Sequence, residues 1–427
     1  MTVSVSDCPE KVVIAKNPIV ILLPTLLLNL LCSTSCNADA IIPKFKQVSV
    51  DSYSFCAIKA KGIPIDATVP DTLWCWGENS YGQLGLGYAA DYFIEERPRL
   101  VATASDKWMA VYTGQDFTCA LKDDGTRFCA GNVLSPNIGL DDYAADTSRP
   151  TSRPGEPKWR QLAIGGGHAC GVTLEGQLYC WGWNHHGALG LGIKNEQYLA
   201  KTPVRVGVES DWIAVTAGDS HTCALRFSDG SRYCWGANGT GQLGLGDYTD
   251  RFQPTPAISK EGSWITMVAG SDYTCGVRWY LGRLYCWGAN RYGQLGSGNN
   301  LDRNLPVQIS NVNWTSVSAS PRGSTTCGIA SDGTRYCWGR NDRYQLGLGD
   351  AAHRNAPRRI YNEGPWSWIS VGAESVCGIR IIAADVNRDS TLWCWGWGPD
   401  EFYDNYLRGP AEPFGMDFPL PHLIGAL

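Results

Sequence analysis

The sequence predicts an all-β fold, a β-propeller assembled from seven units. Three observations carry that prediction. The string Cys-Trp-Gly recurs at Cys75, Cys180, Cys234, Cys286, Cys337 and Cys394, with the variant Cys129-Ala130-Gly131, and successive copies stand 51 to 57 residues apart. A second cysteine precedes each copy, at Cys56, Cys119, Cys170, Cys223, Cys275, Cys327 and Cys377. A glycine-rich tail follows, as in Gly82-Gln83-Leu84-Gly85-Leu86-Gly87 or Gly241-Gln242-Leu243-Gly244-Leu245-Gly246. A unit of about 50 residues is too short for its own core and has the length of a four-stranded propeller blade.

Each unit opens on an aromatic residue. Phe45, Trp108, Trp159, Trp212 and Trp264 stand 11 positions before the first cysteine, Trp314 stands 13 before, and Trp368 stands 9 before. Alternation in Trp212-Ile213-Ala214-Val215 and in Gln177-Leu178-Tyr179-Cys180 reads as strand, and no helical apolar period persists. Twelve of the 18 tryptophans fall on the two repeat positions and are expected in the core.

The cysteines define a hairpin. In copies two, three and six they lie 10 apart, leaving three turn residues such as Leu174-Glu175-Gly176, and in copies four and five they lie 11 apart. Glycine ends each of these turns, where short hairpins commonly need positive φ. Residues facing each other across a non-hydrogen-bonded pair have Cα atoms ~4.5 Å apart, within disulfide reach. Seven bridges follow: Cys56–Cys75, Cys119–Cys129, Cys170–Cys180, Cys223–Cys234, Cys275–Cys286, Cys327–Cys337 and Cys377–Cys394. Zinc is the competing reading, but no pair has the short spacing of a zinc knuckle and no histidine recurs beside the pairs.

The other three of the 17 cysteines, Cys8, Cys32 and Cys36, lie in residues 1–40. There Lys11 and Lys16 precede an apolar run from Ile19 to Leu31, broken by Pro24 and Asn29, and small and polar residues follow up to Ala38-Asp39-Ala40. Thirteen residues of helix span about 20 Å, short of a bilayer core. The layout is that of a secretory signal cleaved after Ala40, with an uncleaved N-terminal anchor as the alternative. Cleavage leaves residues 41–427 as the propeller, with no unpaired thiol and no membrane span, and paired cysteines on this scale suit a secreted, extracellular chain.

The run from Trp212 through His221-Thr222-Cys223-Ala224-Leu225 and Cys234-Trp235-Gly236 to Gly246 resembles the Regulator of Chromosome Condensation repeat. The resemblance spans roughly residues 45–424 and implies a seven-bladed propeller. Copy two departs from the pattern at Ala130, and copy seven lacks the Gly-Gln-Leu-Gly tail after Trp395-Gly396. It also implies ring closure: Pro419-Leu420-Pro421-His422-Leu423-Ile424 is expected to join the blade begun by Phe45 to Val50. Secreted relatives, such as the paired-cysteine ectodomains of plant Crinkly-type receptor kinases, make an extracellular binding module the leading function. Nuclear guanine-nucleotide exchange is an alternative that the disulfides oppose. The Gly-Trp-Arg-His-Thr repeats of the family's light sensors are absent.

A search for chemistry yields no catalytic set. His168 and His221 share one repeat position and read as structural, no nucleophile elbow or phosphate loop occurs, and a glycan-active enzyme would need two convergent carboxylates. No cofactor is expected. Asp385-Val386-Asn387-Arg388-Asp389-Ser390 alternates oxygen ligands, but the twelfth position is Gly396 instead of a bidentate glutamate, so no metal site is assigned. With 36 Lys+Arg against 41 Asp+Glu, the net charge of −5 argues against nucleic acid as partner. The variable positions after each motif asparagine are rich in residue types found at interaction hot spots. Tyr81, Trp183, His185, His186, Arg291, Tyr292, Arg340 and Arg343 are therefore the candidate surface for an unknown protein partner of a monomeric propeller. Asn313, in Asn313-Trp314-Thr315, is the candidate N-glycosylation site.

Overall fold

The computed structural model describes residues 45–60, 71–89, 94–101, 107–140, 148–228, 230–257, 262–360, 364–381, 390–396 and 418–423. The leader and the segment Asp385–Asp389 lie outside the described residues. Seven antiparallel sheets follow one another along the chain, each with its strands in sequence order. Blade four is representative: an inner strand Trp212–Ala217, a second strand His221–Arg226, a third strand Arg232–Gly236 and an outer strand Arg251–Pro256. The other inner strands are Phe45–Val50, Trp108–Thr113, Trp159–Ile164, Trp264–Ala269, Trp314–Ala319 and Trp366–Val371. Each inner strand packs on the next, and the last packs back on Phe45–Val50, which makes a closed ring. Among the described residues the only helical segments are three single-turn 3-10 helices, and none is long and apolar enough to cross a membrane.

The hairpin reading of the cysteines holds in every blade. Each pair faces its partner in register between the second and third strands, Cys223 opposite Cys234 for instance, with Cα atoms 4.0 to 4.1 Å apart and a disulfide between them. A bridge over a loop of 10 to 19 residues contributes about 3 kcal/mol by restricting the unfolded chain.

The blades are joined by a repeated latch. The indole Nε1 of Trp235 donates to the Ala188 carbonyl of the preceding blade at 2.8 Å, and Trp287, Trp338 and Trp395 donate to the carbonyls of Gln242, Gln294 and Gln345 at 2.9 Å. In three of these the threonine before the first cysteine binds the same oxygen: Thr222 on Ala188, Thr274 on Gln242 and Thr326 on Gln294, each at 2.8 Å. The carbonyl sits in the glycine-rich tail, which the motif asparagine shapes. Asn238 Oδ1 accepts from the Leu243 amide at 3.1 Å while its Nδ2 donates to the Asp247 carbonyl at 3.0 Å. Gly244 must be glycine, because a Cβ there would stand 2.7 Å from Trp287 Nε1 and φ is +64°.

Blade two departs from this scheme, as its degenerate copy suggests, and blade seven departs from the aromatic position read in the sequence. In blade two Ala130 cannot reach blade one, and Pro150 takes the indole's place against Gly85. That blade has three strands, extended only by a bridge between Cys129 and Thr151. In blade seven the repeat tryptophan is Trp366, 3% exposed and 11 positions before Cys377 as in the other blades, and not Trp368, which stands only 9 before it. Trp368 is 39% exposed and its Nε1 donates to the Val48 carbonyl at 2.9 Å.

The expected sharing of one blade by both chain ends is also corrected. Phe418–Leu423 pairs with Ser390–Gly396 as the outer strand of blade seven, whereas Phe45–Val50 belongs to a blade already completed by its own outer strand, Ile94–Leu100. No strand position is vacant there. The ring closes by packing: Phe45, Val48, Val50, Phe55 and Trp76 share a core with Cys377, Ile379 and Leu392. Ser370 Oγ accepts from the Val50 amide at 3.2 Å across the same seam.

Truncating Trp287 to alanine removes a fully buried indole and its latch, and should cost about 3–5 kcal/mol in denaturant unfolding. Trp279→Ala, at a 51% exposed position, should change stability by no more than about 0.5 kcal/mol.

Candidate partner-binding face

Because adjacent strands are antiparallel, the loops between inner and second strands emerge on the same face as those between third and outer strands. That face has two concentric rings of side chains. The inner ring, around the mouth of the central channel, comes from residues 51–53, 114–116, 165–167, 218–220, 270–272, 320–324 and 372–374. It is acidic, holding Asp51, Asp116, Asp219, Asp272 and Glu374. Burial raises the carboxyl pKa of Asp51, Asp116 and Asp219 above the usual range, and for Asp219 the neighbouring Asp272 raises it further.

One cation answers this ring. Arg322 donates through Nη1 to Asp51 Oδ2 at 2.5 Å and through Nη2 to the Gly166 carbonyl at 2.7 Å, so a residue of blade six reaches blades one and three. Sequence reasoning missed Arg322 and the acidic ring. The signal was present, because Trp314 stands 13 and not 11 residues before its cysteine, and the two-residue excess lengthens the loop that carries Arg322.

Below the ring, the repeat histidines are structural. Thr222 and Thr274 spend their hydroxyl protons on carbonyls, so His168 Nε2 donates to Thr222 Oγ1 at 2.7 Å and His221 Nε2 to Thr274 Oγ1 at 2.9 Å. Burial lowers the pKa of His168 to about 4 and that of His221 to about 3, keeping both neutral.

The outer ring holds the residues singled out from the sequence, in three separate groups. Arg291 and Arg340 set their guanidinium groups 5.6 and 5.7 Å from the Tyr292 ring, and His353 meets the same ring edge-on at 5.2 Å. Asp342 pairs with Arg340 at 2.7 Å, and Arg343 is exposed in the same loop. Trp183 stacks on His185 at 5.6 Å. His186 turns away in a left-handed conformation, with Nδ1 2.8 Å from Asp250 Oδ2, so the two histidines do not converge. Tyr81 stands by itself on blade one, half exposed. Among the described residues no group of three His, Cys, Asp or Glu side chains is arranged to hold a metal. The exposed Asn313 lies just before an inner strand on the opposite side of its blade from these loops, whereas the other sequon asparagine, Asn238, is buried in its turn.

A repeated latch, a propeller ring and this loop face define a repeat-built binding scaffold, and the comparisons identify its kind. The profile described as "Regulator of chromosome condensation (RCC1) repeat" matches residues 71–121, 175–225, 229–277, 282–325 and 332–379, and a second profile of the same repeat matches 159–188, 212–242 and 264–294. The chain belongs to the RCC1 repeat family. It is 32% identical over 357 residues to the ultraviolet-B receptor UVR8 of Arabidopsis thaliana, covering 82% of this chain and 77% of that one. It is 29% identical over 314 residues to the mitochondrial RCC1 domain-containing protein RUG3 of the same plant, covering 71% and 69%. The crystal structure of Prp20p from Saccharomyces cerevisiae superposes with a TM-score of 0.68 at 21% identity, over 89% of this chain and 87% of that one, and shares the fold.

Arg322→Met leaves Asp51 buried without its cation and should cost about 3–5 kcal/mol at neutral pH, most of it recovered in the Asp51→Asn/Arg322→Met double variant. A double-variant loss equal to the sum of the Asp51→Asn and Arg322→Met losses would show that the pair is not coupled. The histidines predict a second dependence. Their folded pKa values lie below the ordinary 6.5, so the unfolded chain takes up their protons first, and the stability they contribute is intact above pH 6.5 and lost as pH falls toward about 4. The melting temperature should therefore fall less between pH 7.5 and pH 5 in a His168→Asn/His221→Asn variant than in the parent chain.

Proposed function

We propose that this chain is a secreted or cell-surface, non-enzymatic binding module that engages a protein partner with its loop face, as a monomeric propeller released by cleavage after Ala40. The observation that carries the reading is the composition of that face. Exposed Tyr81 and Arg343, with partly exposed Trp183 and Tyr292, stand around an acidic channel mouth, and Tyr, Trp and Arg are the residue types that dominate interaction energies. Support for the compartment comes from the seven disulfides, which persist in oxidising surroundings. Support for protein binding comes from the fold's other members, since Prp20p binds Gsp1p and histones. Asn313 is the sequon we assign to N-glycosylation in such a compartment.

The test is expression in a eukaryotic secretory host. The medium should contain a chain starting at Ile41, and Asn313→Gln should abolish an endoglycosidase-sensitive mobility shift. Cross-linking mass spectrometry on secreted material should then recover a partner with the parent propeller and lose it with Trp183→Ala/Tyr292→Ala/Arg343→Ala. Recovery of the same partner at the same yield by both would refute the loop face.

A further inference from the structure

The charge of the chain is unevenly placed. From Arg278 to Arg380 there are twelve arginines, no lysine and six carboxylates, a net of +6 within a total of −5. Part of this excess gathers at the junction of blades five and six, in a groove of about 580 Å³ lined by Tyr292, Asn300, His353, Arg354, Arg358 and Arg359. That volume lies within the range of small-ligand clefts. The groove is held in shape by the blade-to-blade contact beneath it: the Gly298 amide donates to the Asn355 carbonyl at 2.8 Å, and Asn355 Nδ2 donates to Asn300 Oδ1 at 3.3 Å. Arg354 is partly neutralised by Asp350 at 2.6 Å. The exposed Arg358 guanidinium, beside this groove, has no hydrogen bond or ion pair to any described residue.

We propose that this groove binds an acidic oligosaccharide, with Arg358 and Arg359 taking an oxyanion of the sugar. A guanidinium fork matches sulfate and carboxylate oxygens in pairs. The amides of Asn300 and Asn355 suit sugar hydroxyls, and Tyr292 supplies one wall. A polynucleotide fits less well. The groove lacks the row of stacking aromatics that single strands use, and the disulfides favour a compartment where acidic saccharides are the abundant polyanions. The site shares Tyr292 with the loop face but does not depend on it. Loss of the protein partner in Trp183→Ala/Arg343→Ala, with saccharide binding kept, would separate the two.

The experiment is calorimetric titration of the full mature chain at 150 mM salt with three probes of matched charge: a sulfated heparin oligosaccharide, an oligogalacturonate and a single-stranded DNA. At least one saccharide should bind, and Arg358→Glu/Arg359→Glu should weaken it by tenfold or more. Lys107→Glu/Lys194→Glu, equal in charge change but on other blades, should leave it within twofold. The milder Arg358→Gln, at an exposed position outside the core, should weaken binding with an unchanged melting curve. Preference between sulfated and uronic probes names the oxyanion. Binding to neither saccharide, equal loss in the lysine variant, or DNA binding at least as tight would overturn the proposal.

Discussion

One carbonyl oxygen per blade carries the architecture. In the glycine-rich tail of blades three, four and five it accepts two hydrogen bonds from the following blade, one from an indole and one from a threonine hydroxyl. Both lone pairs are then satisfied by a neighbour, in a dry site where an unpaired carbonyl would be costly. The latch can form only if the motif asparagine has shaped the tail and glycine has left room for the indole. Thus the Cys-Trp-Gly and Gly-Gln-Leu-Gly strings are the two halves of one contact made between successive units. No blade is complete without its neighbours, as expected of repeat architectures.

The deviations show which part of the latch the fold can spare. Blade two has lost its indole, and Pro150 covers the vacated glycine. Blade three has alanine at the threonine position, yet Trp181 keeps its bond to the Asn137 carbonyl at 2.9 Å. Three blades add a buried arginine two residues before the second cysteine. Arg232 donates to the Leu243 and Gly244 carbonyls at 2.7 Å and lies 4.7 Å from the Trp287 ring. In the alternate blades leucine stands at that register, as at Leu178 and Leu284, so the position accepts either an apolar filler or a cation that its carbonyls and indole satisfy.

The loop face follows from the same repetition but breaks its symmetry. Carboxylates crowd the channel mouth on most blades, and Arg322 enters from the one loop that is two residues longer. Further out, cations gather on blades five and six. A ring of near-identical units thereby presents an acidic centre and a basic flank, an arrangement suited to orienting a partner by charge before close contact.

The sequence alone determined the repeat number, the strand character, the disulfide pairing and the buried tryptophans, because each rests on short-range spacing that recurs seven times. The histidines at positions 168 and 221 were legible as structural for the same reason. The loop residues were legible as exposed, but not as three separate groups, since grouping depends on how far neighbouring blades are rotated. Trp366 is masked in the sequence by Trp368, two residues away, because a β-bulge between them sends the two indoles to opposite faces and only the paired strand shows which one enters the core. The place of the C-terminal strand is not encoded locally, since any outer edge satisfies a proline-led strand equally and only the completed ring shows which edge is open. Arg322, Asp51 and Gly166 are 115 to 271 residues apart in the chain, and nothing local to any of them encodes the contact. Local spacing determined the blades, while ring closure decided what the blades bring together.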